Sequence, residues 1–111
     1  MILAFFNSLE QTVTATVYNA VEEQTNSDFE HTASMFKLDL KNPFKHKIIA
    51  VSRDLLKDFP MHSRVKITGT RYDGIYTVED KMNKRYKKRI DILIDECMQI
   101  GKWENVKIIK L

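Results

Sequence analysis

Short runs of alternating apolar and polar residues divide this 111-residue chain, and no run has the length of an extended amphipathic helix. The clearest run covers residues 12–18 (TVTATVY), in which threonines alternate with apolar side chains. Further strands are predicted at residues 47–51, 64–68, 75–80, 89–94 and 106–111. Six short strands in a domain of this size predict a mainly β protein folded as a small barrel.

Two short helices are expected between these strands. Ser52 has the side chain of a helix N-cap, and Pro60 would end the helix that follows it. A second short helix is predicted at residues 95–100, with Gly101 in a left-handed cap. Residues 19–46 have no clear period and are predicted to form a long loop.

The first residues differ in character from the rest. The segment Met1–Phe6 is apolar but much shorter than the ~18 residues that a membrane span needs. Because the segment is so short, we expect no membrane span. It also lacks the basic start of a signal peptide. We divide the chain into an apolar arm at residues 1–11, either a remnant of a signal or a protein-binding arm, and a barrel domain at residues 12–111.

The cysteine and histidine content bears on metal and disulfide chemistry. A lone Cys97 excludes an internal disulfide and is expected to be a small buried side chain. The three histidines do not have the spacing of a zinc site. We therefore expect no metal centre and no cofactor.

Two aspartates are the most informative polar residues. Asp80 closes one predicted strand, and Asp91 lies inside the next one between two isoleucines. Alternation places Ile90, Ile92 and Ile94 on one face, so Asp91 should point away from the barrel core. A carboxylate within an apolar strand is costly unless it lies in a cleft, is hydrogen-bonded or has a chemical role. We expect the two aspartates to converge on one site.

The loop between these aspartates is strongly basic, with cations at positions 81, 84, 85 and 87–89, although the net charge is only +3. Such a run favours an anionic partner, or else is a solvated loop that stabilises both aspartates as anions. No aromatic ladder or groove-reading helix accompanies it, so a nucleic acid is not the expected partner.

The order of several short segments carries a resemblance. They are residues 14–18 (TATVY), 32–34 (TAS), 49–52 (IAVS), 60–65 (PMHSRV), 78–80 (VED), 89–93 (RIDIL), 100–103 (IGKW) and 106–108 (VKI). In this order, and with Asp80 and Asp91 eleven residues apart, the chain resembles the three-aspartate (3D) domain family. That family has a double-psi β-barrel, related to the C-terminal barrel of membrane-bound lytic transglycosylase A.

The chain departs from the family pattern at three places. Ser52 stands where the family has its first aspartate, and residues 81–83 (KMN) replace a glycine-rich turn. His62 stands at a turn position where the family has glycine. Because glycines let a sugar chain approach the backbone closely, their loss indicates an altered groove.

The resemblance implies a lytic transglycosylase of peptidoglycan, with Asp91 as general acid and base and Asp80 as its catalytic partner. It also implies substrate-binding positions at Ser52, Tyr18 and Thr32, and Arg85 is a candidate for binding substrate carboxylates. Helix capping is the simpler explanation for Ser52, and packing is the simpler one for Tyr18. A calcium site formed by the two aspartates with Asp95 is a less favoured alternative, since capping of the next helix accounts for Asp95. Trp103 is either a core residue or an aromatic that stacks on a sugar.

Two more functions compete with the enzymatic one. A non-catalytic module that binds cell-wall glycan would explain Ser52 and the lost glycines. A structural part of a larger assembly, for example a phage particle, would explain the apolar segment Met1–Phe6. The expected location is accordingly the bacterial cell envelope or a phage particle.

Overall fold

The computed structural model describes residues 9–19 and 31–111. This part of the chain contains six strands and two isolated 3-10 turns, at Pro43–His46 and Arg53–Leu55. The strands are β1 (Glu10–Tyr18), β2 (Ile48–Val51), β3 (Arg64–Thr68), β4 (Gly74–Lys81), β5 (Arg89–Leu93) and β6 (Lys102–Lys110). All six predicted strands are present, with β1 and β6 beginning earlier than predicted.

The strands close into a barrel in the order β1-β5-β2-β4-β3-β6. The pairs β1–β5 and β2–β4 are parallel, and the four other neighbouring pairs are antiparallel. Strands β1, β2 and β3 have the same pairing pattern as β4, β5 and β6. For example, β1 pairs with β5 and β6, and β4 pairs with β2 and β3. The two halves of the chain are therefore related by an approximate twofold axis. The predicted mainly β class and the six-stranded double-psi barrel are confirmed.

The barrel encloses the main hydrophobic core. Ile90, Ile92 and Ile94 are fully buried in it, which confirms the predicted face of the fifth strand. Leu93 points the other way, into a smaller cluster with Leu38 and Ile48. Residues of the 31–46 segment thus cover the outside of β5, and both faces of this strand are buried except where Asp91 interrupts the apolar surface.

Of the two predicted short helices, the first is present only as a single 3-10 turn and the second does not form. Ser52 precedes only the 3-10 turn Arg53–Leu55, and its side chain makes no capping hydrogen bond. Residues 95–100 form a turn without a helix, and Cys97 in that turn is exposed rather than buried. Segments of six to eight residues between closed strands are too short for a stable helix unless tertiary packing supports one.

Gly101 is not in the left-handed conformation, unlike Gly69 and Gly74. A Cβ atom at position 101 would lie 2.7 Å from ring atoms of Trp103. The glycine is therefore required by close approach to an indole ring and not by a helix cap.

His62 has a φ of 75°, which is the left-handed conformation that favours glycine. This is the turn position at which the resembled family has glycine. The backbone of this turn thus has a shape that glycine adopts readily, although the residue is histidine.

Residues 1–8 of the predicted arm, which include Met1–Phe6, lie outside the described residues, whereas Glu10 and Gln11 belong to β1. In residues 9–19 and 31–111, no helix has the length and apolar character needed to cross a bilayer.

Candidate active site

Asp91 lies near the middle of β5, and β5 lies between β1 and β2 in the barrel wall. Its register partners are Thr16 on β1 and Ala50 on β2. The Thr16 hydroxyl donates a hydrogen bond of 2.9 Å to Oδ1 of Asp91. The carboxyl group is partly exposed, and its open side faces a surface pocket.

This pocket has a volume of about 710 Å³. Asp91 and Arg89 form part of its wall from β5, and Tyr18 forms part of it from β1. The remaining lining residues are Thr16, Val17, Asn19, Met82, Tyr86, Ile100, Gly101 and Lys102. The mixture of aromatic, apolar and charged side chains is typical of a small-ligand site.

The environment of Asp91 makes its carboxyl group a weaker acid than an exposed aspartate. Burial is the main cause and raises its pKa from 3.8 to about 6, with a smaller contribution from the negative charge of Asp80. The hydrogen bond from Thr16 and the positive charge of Arg89 act in the opposite direction. Asp91 therefore exchanges its proton within about one pH unit of neutrality, where a general acid and base is most effective.

Asp80 lies at the end of β4 and is held by three donors. The backbone N–H groups of Ala33 and Lys81 each donate to Oδ1 at 3.0 Å. The Tyr18 hydroxyl donates to Oδ2 at 3.3 Å. Burial raises the pKa of Asp80, although these hydrogen bonds and the charge of Lys81 favour the ionised form.

Tyr18 connects the two aspartates. The pKa of Tyr18 is raised well above 10, mainly because the phenol is buried. The negative charges of Asp80 and Asp91 raise it further. The phenol consequently keeps its proton and serves as a hydrogen-bond donor. The charges of Asp80 and Asp91 thus both act on the same phenol, although only Asp91 lines the pocket.

Ser52 and Thr32 lie beneath the surface. The Ser52 side chain is fully buried, and its hydroxyl accepts a hydrogen bond of 3.0 Å from the Arg89 N–H. The Ser52 N–H in turn donates to the Arg89 carbonyl at 2.8 Å. Ser52 therefore holds the backbone of β5 next to Asp91, and its hydroxyl does not reach the pocket surface.

Thr32 is also buried and belongs to the turn that binds Asp80. Its hydroxyl lies 3.1 Å from that of Ser34, which donates to Oε1 of the buried Glu79 at 2.5 Å. Oε1 of Glu79 is also 3.0 Å from Nδ1 of His62. These contacts fix the turn whose Ala33 N–H binds Asp80, so Thr32 acts on the site through Asp80.

The basic loop does not clamp either aspartate. Within the described part of the chain, neither Asp80 nor Asp91 forms an ion pair. Arg85 is exposed, and its Nη2 donates to the Tyr86 hydroxyl at 2.8 Å. The guanidinium groups of Arg85 and Arg89 lie 4.8 and 4.7 Å from the centre of the Tyr86 ring.

Asp95 does not share the contacts of Asp80 and Asp91. Its carboxylate accepts a hydrogen bond of 2.9 Å from the Phe44 N–H, so it neither begins a helix nor joins an acidic cluster. Among the residues that the structure describes, no group of three or more His, Cys, Asp or Glu side chains is placed to hold a metal ion.

Sequence reasoning missed Thr16, Tyr86 and Lys102 as parts of the site. Thr16 is a parallel-strand partner of Asp91 that lies 75 positions away, and nothing local in sequence marks that pairing. Tyr86 stands within the basic loop, where its charged neighbours are the stronger local signal and indicate only a cationic surface.

The sequence matches no protein-family model and no curated protein.

Proposed function

We propose that this protein is a lytic transglycosylase-like enzyme that cleaves the β-1,4 bond between N-acetylmuramic acid and N-acetylglucosamine in peptidoglycan. One observation carries the proposal. Asp91 faces a pocket of about 710 Å³ and has a pKa raised to about 6 by burial. The proposed location follows from the substrate and is the cell envelope or a phage particle.

The proposed reaction needs one carboxyl group. Asp91 donates its proton to the glycosidic oxygen as the bond from that oxygen to the muramoyl C1 breaks. The muramoyl 6-hydroxyl then bonds to C1, and the Asp91 carboxylate accepts the hydroxyl proton. The product is a 1,6-anhydro sugar, and the enzyme regains its proton. Because the nucleophile belongs to the substrate, neither an activated water nor a second catalytic carboxylate is required.

Asp80 and Tyr18 assist in this scheme. The negative charge of Asp80 helps Asp91 to retain its proton, as the direction of the pKa shift requires. Tyr18 lines the pocket and keeps its phenolic proton, so it can donate to a sugar oxygen when its bond to Asp80 rearranges. Arg85 is a peripheral contact for substrate anions, since it is exposed in the loop that borders the pocket.

The proposal is tested by digestion of purified sacculi and mass spectrometry of the soluble products. Wild-type protein should release anhydromuropeptides, and Asp91→Asn should release none. Asp39→Asn is the matched control, because Asp39 is paired with Lys45 away from the pocket. No anhydro product from the wild type, or equal product from Asp91→Asn, would overturn the assignment.

A second function is favoured by one observation. The residue at the position of the family's first aspartate, Ser52, is buried and already bonded to the Arg89 backbone, so it supplies no polar group to a substrate. A pocket that has lost one functional group but kept its charges would serve a non-catalytic module that binds cell-wall glycan.

The two functions differ in a direct measurement. The binding module would sediment with sacculi without releasing product, and reversing the charges of Lys84, Arg85 and Lys87 should weaken sedimentation. All three side chains are exposed, so the reversal should leave the barrel folded. Sedimentation together with anhydro product supports the enzyme.

A further inference from the structure

Arg89 and Lys102 are the two cationic residues that line the pocket, and the Arg89 side chain has an unusual environment. Its Nε is buried and makes no hydrogen bond. Arg53, by comparison, donates from Nε to the Met82 carbonyl at 3.1 Å. Lys102 lies 3.8 Å from Glu104. In the part of the chain that the structure describes, no carboxylate pairs with the Arg89 guanidinium.

A buried N–H group without an acceptor is costly, at about 1–3 kcal/mol, and more for a charged group. Native proteins tolerate few of them, and such groups frequently bind a ligand or a water molecule. Arg89 also lines the same pocket as Asp91. The guanidinium, which pairs with no carboxylate of the described residues, is therefore part of the surface that a bound molecule would contact.

The shape of the site favours a planar anion. The Arg89 guanidinium lies 4.7 Å from the centre of the Tyr86 ring, which limits its rotation. A guanidinium held in one orientation presents parallel N–H groups that match the two oxygens of a carboxylate. Lys102 lines the same pocket and adds positive charge.

The spacing of residues along β5 sets the distance between Arg89 and Asp91, the proposed acid. Arg89 and Asp91 are two residues apart on one strand, so their side chains leave the same face, with Cα atoms about 6.6 Å apart. A single sugar ring that carries an acidic substituent can contact both side chains.

We propose that Arg89 forms a carboxylate-binding subsite beside Asp91, which takes the acidic group of the sugar whose glycosidic bond is cleaved. This inference rests on the proposed function and names the substrate feature that the pocket selects. Two carboxylates of peptidoglycan have the required chemistry, the lactyl acid of the muramoyl residue and the acids of its peptide stem.

The subsite also couples binding to the chemistry of Asp91. The positive charge of Arg89 lowers the pKa of Asp91 in the free protein. A carboxylate bound to Arg89 offsets that charge, so the pKa of Asp91 rises when an acidic sugar occupies the pocket. Asp91 would then hold its proton most firmly when the correct substrate is bound.

Cleavage is compared on three glycan strands: peptide-free strands with the lactyl acid, the same strands with that acid converted to its methylamide, and peptide-bearing strands. Wild-type protein should cleave one of the two acidic strands about 10- to 100-fold faster than the methylamide, the range expected for a charge-assisted hydrogen bond. Which acidic strand is preferred identifies the lactyl or the stem carboxylate as the ligand.

Arg89→Gln should remove this preference, so that the variant cleaves the acidic strands and the methylamide strand at similar rates. Arg89→Lys keeps the charge without the planar donors, so its preference for the acidic strand should be intermediate. Arg71→Gln is the control for the loss of one exposed cation. Equal cleavage of all three strands by wild type, or an equal loss on all of them in Arg89→Gln, would overturn the subsite.

A binding measurement separates failure of the subsite from failure of the enzyme. If no strand gives anhydro product, the proposed function fails, and NMR titration with N-acetylmuramic acid, a muramoyl dipeptide and N-acetylglucosamine still tests Arg89. Binding of an acidic compound that Arg89→Gln and Arg89→Lys both weaken supports the subsite, and binding of none or of all three alike contradicts it. Circular dichroism of each variant verifies that the barrel is folded.

Discussion

The hydroxyl group of Thr16 donates a hydrogen bond of 2.9 Å to the carboxyl group of Asp91, across the parallel pair of strands β1 and β5. This bond is the strongest local influence that keeps Asp91 ionised, while burial favours its protonated form. The acidity of Asp91 thus depends on a residue that is distant in sequence and adjacent in the barrel wall.

Replacing Thr16 by valine should raise the pKa of Asp91 above its present value of about 6. Valine has the shape of threonine but no donor, so the ionised carboxylate loses a stabilising hydrogen bond. The pKa is measured by NMR titration of the Asp91 carboxyl carbon. Thr14→Val serves as the control, because Thr14 donates to the exposed Glu104 instead; an unchanged or lower pKa in Thr16→Val would show that the bond is unimportant.

Asp91 should make the folded protein less stable as the pH rises. Its pKa is about 6 in the folded state and near 3.8 when exposed, so the folded state binds more protons between these values. The free energy of unfolding therefore falls as the pH rises from about 4 through 6, by on the order of 2 kcal/mol. Asp91→Asn should remove that fall and be more stable than wild type at neutral pH.

Urea unfolding of both proteins at pH 4 and pH 7.5 measures this difference. Asp73→Asn provides a control of opposite sign. Although burial acts to raise the pKa of Asp73, hydrogen bonds from Thr70 and Gly69 lower it overall, so Asp73 stabilises the fold at neutral pH. An Asp91→Asn variant that is less stable than wild type at pH 7.5 would contradict the account of Asp91.

Ser52→Ala should destabilise the barrel by about 1–2 kcal/mol, because the Arg89 N–H would lose its acceptor in a buried environment. The free energy of unfolding is the measurement. Ser63→Ala is the comparison, since the Ser63 hydroxyl donates to the Pro60 carbonyl in an exposed turn and its loss should matter little. Equal effects of the two substitutions would mean that Ser52 has no special part in holding β5.

Gly101→Ala should lower stability and displace Trp103. The added methyl group would lie 2.7 Å from two atoms of the indole ring, so the ring must move. Intrinsic tryptophan fluorescence and thermal unfolding report the change. Combining Gly101→Ala with Trp103→Leu should recover part of the lost stability; no change in the single variant would show that the ring moves without cost.

The sequence by itself determined the strands and the direction of Asp91. Alternation in β1 and β3 and the three isoleucines of β5 specify which side chains face a core, because the side chains of a strand alternate between its two faces. Local signals were less reliable for the two predicted helices, since the first is only the 3-10 turn Arg53–Leu55 and the second does not form. A capping serine and a terminal glycine indicate a helix only when the intervening residues have room and packing to form one.

The tertiary structure alone decided the composition of the site. Parallel pairing brought Thr16 to Asp91, and closure of the barrel placed Tyr18 beside Asp80 and turned Ser52 into a buried support for β5. None of these contacts joins residues that are neighbours in sequence. Local residue order specifies the face of a strand, whereas the partners of a carboxyl group, and therefore its pKa, depend on which strands the closed barrel brings together.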